Sequence, residues 1–483
     1  MNTLDPRILI IRPDAMGDVI LMIPLLNTIK ATWPQAELYP LLQGYTQDIL
    51  TNHPSVTQVI LDRKKAGQVK TIKAFFDYVA YIKSFKFDIA ILPFLEDFYL
   101  FLCVFAGIPV RVGDQNKPLI RPFLTHSIPL VFRDLSMHET EQQAKLFQAL
   151  VPNPHWDMRM NLALNPQEKP YIEALLKTQG WNQERLIGIH TSTGGGNRAW
   201  TPSQFALLIN LVHAQTAYSV VLTGASPKEC EKIQAIIQLC DRKPLNVSGK
   251  TSTSQLKTLI SLCDAFLGTD TGPVHVAAAL QKPVVGLSPT KYIKSLRWGP
   301  WQTPHRVVGH PQSCAVVCNP FKCQLPDCLD AISAQEVFDL LKDLLNNPQI
   351  QAREEDRRRW FKASVTLCFY VSDLSQLSVL NRYRSLLGSG YVLTNSEDVQ
   401  RALGSKSCHL ISPWQLKKMI RFITEKDITV LHLLDPLLRG PWTLIRQLSA
   451  LKLYAPPIKV QFTDPYESES ALVDRYLKEF HYD

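Results

Sequence analysis

Short apolar runs of strand length alternate with helix-patterned segments twice along this chain, and no other feature restricts its fold as much. The first series reads Arg7-Ile-Leu-Ile-Ile-Arg12, Glu37–Leu42, Val56–Leu61 and Phe87–Leu92 as strands, with helices from Asp18 to about Ala31 and over Val69–Ser84. The helix Met137–Leu150 follows. From Arg185 the pattern restarts, with strands Leu186–His190, Ser219–Thr223, Leu245–Val247, Ala265–Gly268 and Pro283–Leu287. Helices over Pro202–Ala214, Pro227–Leu239, Ser254–Leu262, Gly272–Leu280 and Glu336–Asn346 lie between and after them. Pro152, Pro154, Pro166 and Pro170 read as a linker. The expected class is α/β, with two doubly wound parallel sheets, and the expected domains are residues 1–165 and 180–350.

After the mixed-charge run Glu354–Arg359, read as the solvated face of a linking helix, residues 363–483 look like a small accessory α/β module. Strands are expected at Val365–Val371, Tyr391–Leu393 and Thr429–Leu433, and helices around Pro413–Thr424 and Trp442–Leu451. This segment carries no catalytic motif.

The 483 residues have room for about three domains. A chain that is 46% hydrophobic and 20% charged is neither disordered nor coiled coil. Its net charge of +9 is a mild excess that fits phosphate-bearing ligands or an anionic membrane surface and does not by itself call for nucleic acid. The apolar stretch Phe98–Val110 has 13 residues, short of the roughly 20 that span a bilayer. Asp5, Arg7, Arg12 and Asp14 interrupt the first apolar run, so no signal peptide is expected and the protein should stay in the cytoplasm.

Open parallel sheets bind ligands beyond the carboxyl ends of their strands, and three loops stand out there. In Arg12-Pro-Asp-Ala-Met-Gly-Asp18, Gly17 permits a close approach. Asp18 reads either as a first-turn acid favoured by the helix dipole or as a carboxylate that accepts a proton from a hydroxyl; Asp14 competes for that second role. His190-Thr-Ser-Thr-Gly-Gly-Gly-Asn-Arg-Ala-Trp200 combines hydroxyls, glycine amides and Arg198 in a plausible oxyanion cradle, although neither a Walker ending nor a Gly-x-Gly-x-x-Gly fingerprint is present. In Leu267-Gly-Thr-Asp-Thr-Gly-Pro-Val-His275, Thr271 or Gly272 opens a helix whose free amides attract phosphate. His275 projects from its first turns, and Asp270 reads as orienting neighbouring donors. Cys314, Cys318, Cys323 and Cys328 follow a C-x3-C-x4-C-x4-C spacing that lacks the close C-x2-C knuckle, so reduced structural cysteines are favoured over a metal site.

Taken together, the strand ending in Arg12, Gly17-Asp18, Pro24, Asn197-Arg198-Ala199-Trp200, Val221-Leu-Thr-Gly224 and Gly268-Thr-Asp270-Thr-Gly272-Pro-Val-His275 resemble glycosyltransferase family 9, the ADP-heptose:lipopolysaccharide heptosyltransferases. The resemblance covers roughly residues 7–345. It implies a GT-B fold of two Rossmann-like halves facing a cleft, the first holding the acceptor and the second the nucleotide-sugar. It also implies metal-independent inversion at the anomeric carbon, with no cofactor. Asp18 matches the general base, and Arg198, Ser192, Thr193, Thr271, Gly272 and His275 match the surroundings of the donor diphosphate. Asp270 and Glu229 are weaker donor-side matches, while Gly17 and Asp14 belong to the acceptor loop. The implied partners are a nucleotide-sugar, by default ADP-heptose, and a lipid-linked glycan acceptor, with peripheral contact at the inner membrane face. Thr201 stands where the family usually has proline. Two other readings remain open, a nucleotide-sugar epimerase of similar architecture and a non-catalytic glycan-binding or scaffold protein.

Overall fold

The computed structural model describes residues 5–117, 119–130, 137–192, 200–269, 271–288, 295–309, 329 and 331–348, together with the backbone of five later strands. The chain forms two compact units, Met1–His310 with Pro320–Gln351, and Pro311–Asn319 with Ala352–Asp483.

The larger unit contains two lobes. In the first, the elements run β1 (Arg7–Ile11), α1 (Met16–Leu21), α2 (Ile23–Thr32), β2 (Glu37–Leu42), α3 (Gln47–Leu50), β3 (Ile60–Leu61), α4 (Ile72–Ser84), β4 (Ile89–Ile91), α5 (Asp97–Phe105), β5 (Val110–Asp114), β6 (His126–Ile128) and α6 (Glu139–Lys145). The second runs α7 (Glu168–Thr178), β7 (Leu186–His190), α8 (Pro202–Gln215), β8 (Ser219–Thr223), α9 (Pro227–Gln238), β9 (Leu245–Asn246), α10 (Thr253–Leu262), β10 (Ala265–Thr269), α11 (Gly272–Ala279), β11 (Val284–Leu287), α12 (Ser295–Trp298), β12 (His305–Val308) and α13 (Ala334–Asn346).

Each lobe is built on a six-stranded sheet, β3-β2-β1-β4-β5-β6 in the first and β9-β8-β7-β10-β11-β12 in the second. Every pairing is parallel, with Leu9 opposite Tyr39 and Ala90, and Leu267 opposite Ile189 and Val285. Both sheets therefore reverse direction at the same place, between β1 and β4 and between β7 and β10. Such a reversal leaves a crevice beyond the strands' carboxyl ends, because the connections depart to opposite sides.

Burial on both faces explains the continuous apolar runs. Along β1, Ile8 and Ile10 enter a core that continues into the second lobe, while Leu9 and Ile11 enter a separate outer core with Tyr78 and Tyr99. The shared core joins Val19 and Ile20 of α1 to Leu256 and Leu259 of α10 and Val276 of α11. A third cluster, with Ile187, Phe205, Leu267 and Phe338, fills the far side of the second sheet.

Two local departures from the sequence reading, and one from the family pattern, have backbone causes. The helix expected from Asp18 to about Ala31 is two helices meeting at Met22, because Pro24 offers no N–H to an uninterrupted helix and crowds the preceding turn. The proline-marked linker holds α7, with Pro170 in its first turn, where no intrahelical N–H is required. Thr201, the residue that departs from the family pattern, caps α8 by accepting from the Gln204 amide at 3.3 Å, with Pro202 behind it.

In the smaller unit the five strands β13 (Leu367–Tyr370), β14 (Tyr391–Thr394), β15 (Cys408–Leu410), β16 (Val430–Leu433) and β17 (Lys459–Phe462) form one parallel sheet, ordered β15-β14-β13-β16-β17. The helices expected there, the Glu354–Arg359 run and the four clustered cysteines lie outside the described residues. No described helix is long and apolar enough to cross a membrane.

Candidate active site at the two crevices

The first crevice is organised by Arg12, the residue after β1. Its guanidinium is buried and donates to the Pro93 carbonyl beyond β4 at 3.0 Å and to Asp18 Oδ1 at 2.8 Å. Asp14 Oδ1 lies 3.2 Å from its Nε, and Glu139 Oε1 lies 3.7 Å from Nη2. The other oxygen of Glu139 accepts two hydrogen bonds from Arg297 of the second lobe, at 2.9 Å and 2.6 Å. Three carboxylates and two guanidinium groups thus form one chain of charge across the lobe boundary. Of the three, Asp18 is the most open: its side chain is 29% exposed, against 19% for Asp14 and 10% for Glu139.

Burial alone would lower the Arg12 pKa, yet Asp14, Asp18 and Glu139 together carry it above its ordinary value. Burial pushes the Asp14 carboxyl up to about 7, against the pull of Arg12, with Asp18 and Glu139 adding like-charge repulsion. A carboxyl whose pKa is raised on folding contributes stability that is present below its ordinary value of 3.8 and is lost as pH climbs to about 7. Asp14→Asn removes that loss. Between about pH 5 and about pH 8 the melting temperature of the wild type should therefore fall a few degrees further than that of the variant. Parallel melting curves would show that Asp14 is already ionised at pH 5.

The second crevice opens where β7 and β10 end. His190 Nδ1 lies 3.1 Å from the Thr223 carbonyl, and its Nε2 lies 3.8 Å from Glu229 Oε1. Burial lowers the His190 pKa, and Glu229 partly offsets this. Glu229 Oε2 accepts the Ala225 and Ser226 amides, both at 2.8 Å, and Ser226 Oγ accepts the Glu229 amide in return, which makes Glu229 part of the cap on α9. Lys232 donates to the Thr191 carbonyl at 2.7 Å, and burial lowers its ammonium to about 8, with Glu229 opposing the shift. Ser192 is buried, and its carbonyl accepts from Thr269 Oγ1 at 2.9 Å. Thr271 precedes α11 with its hydroxyl donating to the Thr269 carbonyl at 3.0 Å, so the amides that open α11 are not capped by that side chain. Thr193, Arg198 and Asp270 lie outside the described residues.

α1 and α11 pack directly on each other at the mouths of the two crevices. A Cβ placed on Gly17 would sit 2.7 Å from the His275 ring, and one on Gly272 would sit 2.9 Å from Met16. Each glycine makes the room that a side chain of the opposite lobe fills. Gly17 and Asp18 are thereby held next to the opening turn of α11, and His275 is buried at the seam. Polar contacts reinforce it. Lys257 donates to the Asp48 and Ala163 carbonyls at 2.5 and 2.9 Å, Trp301 Nε1 donates to the Met158 carbonyl at 2.9 Å, and His138 Nε2 lies 3.0 Å from the Gly299 carbonyl.

The sequence reading thus placed Asp14, Gly17 and Asp18 at one crevice, and Ser192, Glu229, Thr271, Gly272 and His275 at or beside the other. It did not single out Glu139, Arg297, His190 or Lys232 as site residues, and it used Arg12 only as the end of a strand. Among the described residues no cluster of His, Cys, Asp or Glu has the makings of a metal site.

With this geometry in hand, comparison with known proteins is decisive. The family model described as "Glycosyltransferase family 9 (heptosyltransferase)" matches residues 101–324, a span that contains Glu139, the second crevice and Arg297. Over that span the chain is similar to glycosyltransferase family 9. Among its curated family relatives, the lipopolysaccharide heptosyltransferase 3 of Escherichia coli is 26% identical over 296 residues, 59% of this chain and 82% of that protein. The lipopolysaccharide core heptosyltransferase OpsX of Haemophilus influenzae is 23% identical, covering 62% of this chain and 83% of its own. The solved family 9 glycosyltransferase of Veillonella parvula superposes with a TM-score of 0.63 at 22% identity, covering 71% of this chain and 97% of the other. The ADP-heptose lipopolysaccharide heptosyltransferase II of Escherichia coli superposes with a TM-score of 0.56 at 22% identity, covering 70% and 98%. The fold is therefore GT-B, as the family resemblance implied, and the protein is a glycosyltransferase.

Proposed function

We propose that this glycosyltransferase moves a heptose from ADP-heptose to a lipopolysaccharide-type acceptor, with inversion and without a metal. Asp18 takes the proton of the acceptor hydroxyl as its oxygen attacks the anomeric carbon, and the bond from that carbon to the diphosphate oxygen breaks on the opposite side. The electron pair leaves with the diphosphate, where the amides of α11, Arg198 and the hydroxyls of Ser192, Thr193 and Thr271 meet the growing negative charge. His275 shapes the junction, Asp270 orients neighbouring donors, and Glu229 borders the nucleoside. The lipid-linked acceptor brings the enzyme to the inner face of the membrane.

The observation that carries this reading is the direct packing of α1 on α11, which sets the most exposed of the three carboxylates around Arg12 beside an uncapped helix start of the second lobe. The heptosyltransferase names of the relatives support the choice of sugar and acceptor.

A thermal-shift screen of ADP, GDP and UDP followed by a transfer assay tests it. ADP should stabilise the protein most, by about 2.7 kcal/mol at a hundredfold excess over its dissociation constant. Transfer from ADP-heptose should be unaffected by EDTA and give a product of inverted anomeric configuration. Equal stabilisation by all three nucleotides, loss of turnover in EDTA, or retention of configuration would each count against the corresponding part of the proposal.

A further inference from the structure

The first lobe carries an apolar face that its own fold leaves uncovered. Ile72 and Phe76 of α4 are 79% and 50% exposed, Phe105 of α5 is 52% exposed, and Leu119 and Phe123 beyond β5 are 90% and 39% exposed. The aromatic members form a continuous strip. The Phe76 and Phe105 ring centroids lie 5.7 Å apart, and those of Phe101 and Phe123 lie 5.0 Å apart. Phe101 and Phe105 are one turn apart on the same side of α5, which joins the two pairs. Isolated exposed hydrophobic residues are ordinary on a soluble protein, but a contiguous strip of this kind marks an interaction surface.

Charge selects the partner. From Arg63 to His126 there are ten basic and five acidic residues, so this stretch carries five units of the chain's +9. Three of those acids are tied into the fold: Glu96 pairs with Lys64, Asp88 accepts the Arg7 amide, and Asp114 accepts the Asn116 and Leu130 amides. Asp77 and Asp97 remain exposed, against exposed Lys65, Lys70, Lys73 and Arg121. Lys73 lies one turn before Phe76, and Arg121 shares a turn with Phe123. Aromatic and aliphatic side chains edged by cations suit an interface in which rings enter the acyl boundary and ammonium groups meet lipid phosphates.

We propose that the face formed by α4, α5 and the Arg121–Phe123 turn docks this enzyme on an anionic lipid surface. The proposal gives a location to the membrane contact expected of a lipid-linked acceptor, and it rests on that reading only for its biological purpose. α5 begins four residues after Pro93, whose carbonyl holds Arg12, so the first turn of α5 lies beside the crevice that contains Asp18, while Phe105 lies toward the other end of the sheet.

The test is co-sedimentation of the full chain with vesicles of phosphatidylcholine alone or mixed with phosphatidylglycerol. The wild type should bind the mixed vesicles at least tenfold better than the neutral ones, and less well at high salt. Phe76→Ser with Phe105→Ser should lose at least tenfold in binding, and Lys70→Glu with Lys73→Glu should lose the preference for anionic lipid. Both pairs lie at the surface and outside the two crevices, so both variants should fold and their transfer to a water-soluble acceptor should match the wild type. Equal binding to both vesicle types, unchanged binding by the aromatic pair, or a concentration-dependent dimer that the aromatic pair abolishes would overturn the proposal. Failure of ADP-heptose as donor would leave vesicle binding intact, so the two readings fail separately.

Discussion

Asp18→Asn is expected to lower turnover by about 10²–10⁴-fold, the range associated with removing a general base. Asparagine keeps an oxygen in the place that accepts the 2.8 Å hydrogen bond from Arg12, so the buried guanidinium keeps that neighbour and the fold should persist. What disappears is the anionic oxygen able to take the hydroxyl proton as the bond to the anomeric carbon forms. Because the donor is proposed to bind in the other lobe, the ADP dissociation constant should change less than twofold and the acceptor KM only modestly, which places the loss in kcat. Calorimetry with ADP beside steady-state kinetics reads both quantities. Near wild-type turnover in this variant would remove Asp18 from the mechanism and leave Asp14, the next carboxylate in the loop, as the candidate.

A loss of about 10²-fold is expected of Glu139→Gln, although this residue is proposed to touch no substrate. One oxygen of Glu139 faces Arg12 and the other holds Arg297, so a neutral amide must turn an N–H₂ toward one of two guanidinium groups. Removing one partner of a buried ion pair costs about 3–5 kcal/mol, because the remaining charge stays out of water. A displacement of about 1 Å at a reacting group is enough for a hundredfold rate loss. The signature of a positioning role is a fall in kcat with little change in KM for either substrate, together with a lower melting temperature. Glu139→Asp keeps the charge and should recover part of both. Turnover within twofold of wild type for the glutamine variant would show that the ion pair across the lobes does not hold the site.

The parts of this protein that were legible in its sequence are those where one local rule decides the outcome. Leu186–His190 and Ser219–Thr223 could be read to the residue because central parallel strands are apolar on both faces and end abruptly in polar loops. The edge strand β3 is only Ile60–Leu61, where Val56–Leu61 was expected, since an edge needs less apolar sequence and Thr57 and Gln58 do not extend it. α5 was visible only as an apolar stretch: a helix with little polar face shows no 3.6-residue period. At the site, Gly17-Asp18 and Gly272-Pro-Val-His275 were readable because strand, loop and helix start are contiguous. Glu139 and Arg297 were not, being 158 residues apart and joined only by the fold. The cap made by Ser226 and Glu229 was a pattern available in the sequence, and its presence gives Glu229 a structural task in addition to the nucleoside contact proposed for it.

The paired glycines between α1 and α11 bear on how such an enzyme discriminates among sugars. The spacing from carboxylate to helix start is gauged by two glycines, each facing a side chain of the other lobe, a dimension that changes only if the His275 ring and the Met16 thioether are both unseated. A bulkier donor cannot be admitted by sliding one half outward without disturbing that stop. Size selection is left to the bordering loops, which can lengthen or shorten while the reacting centre keeps its calibration.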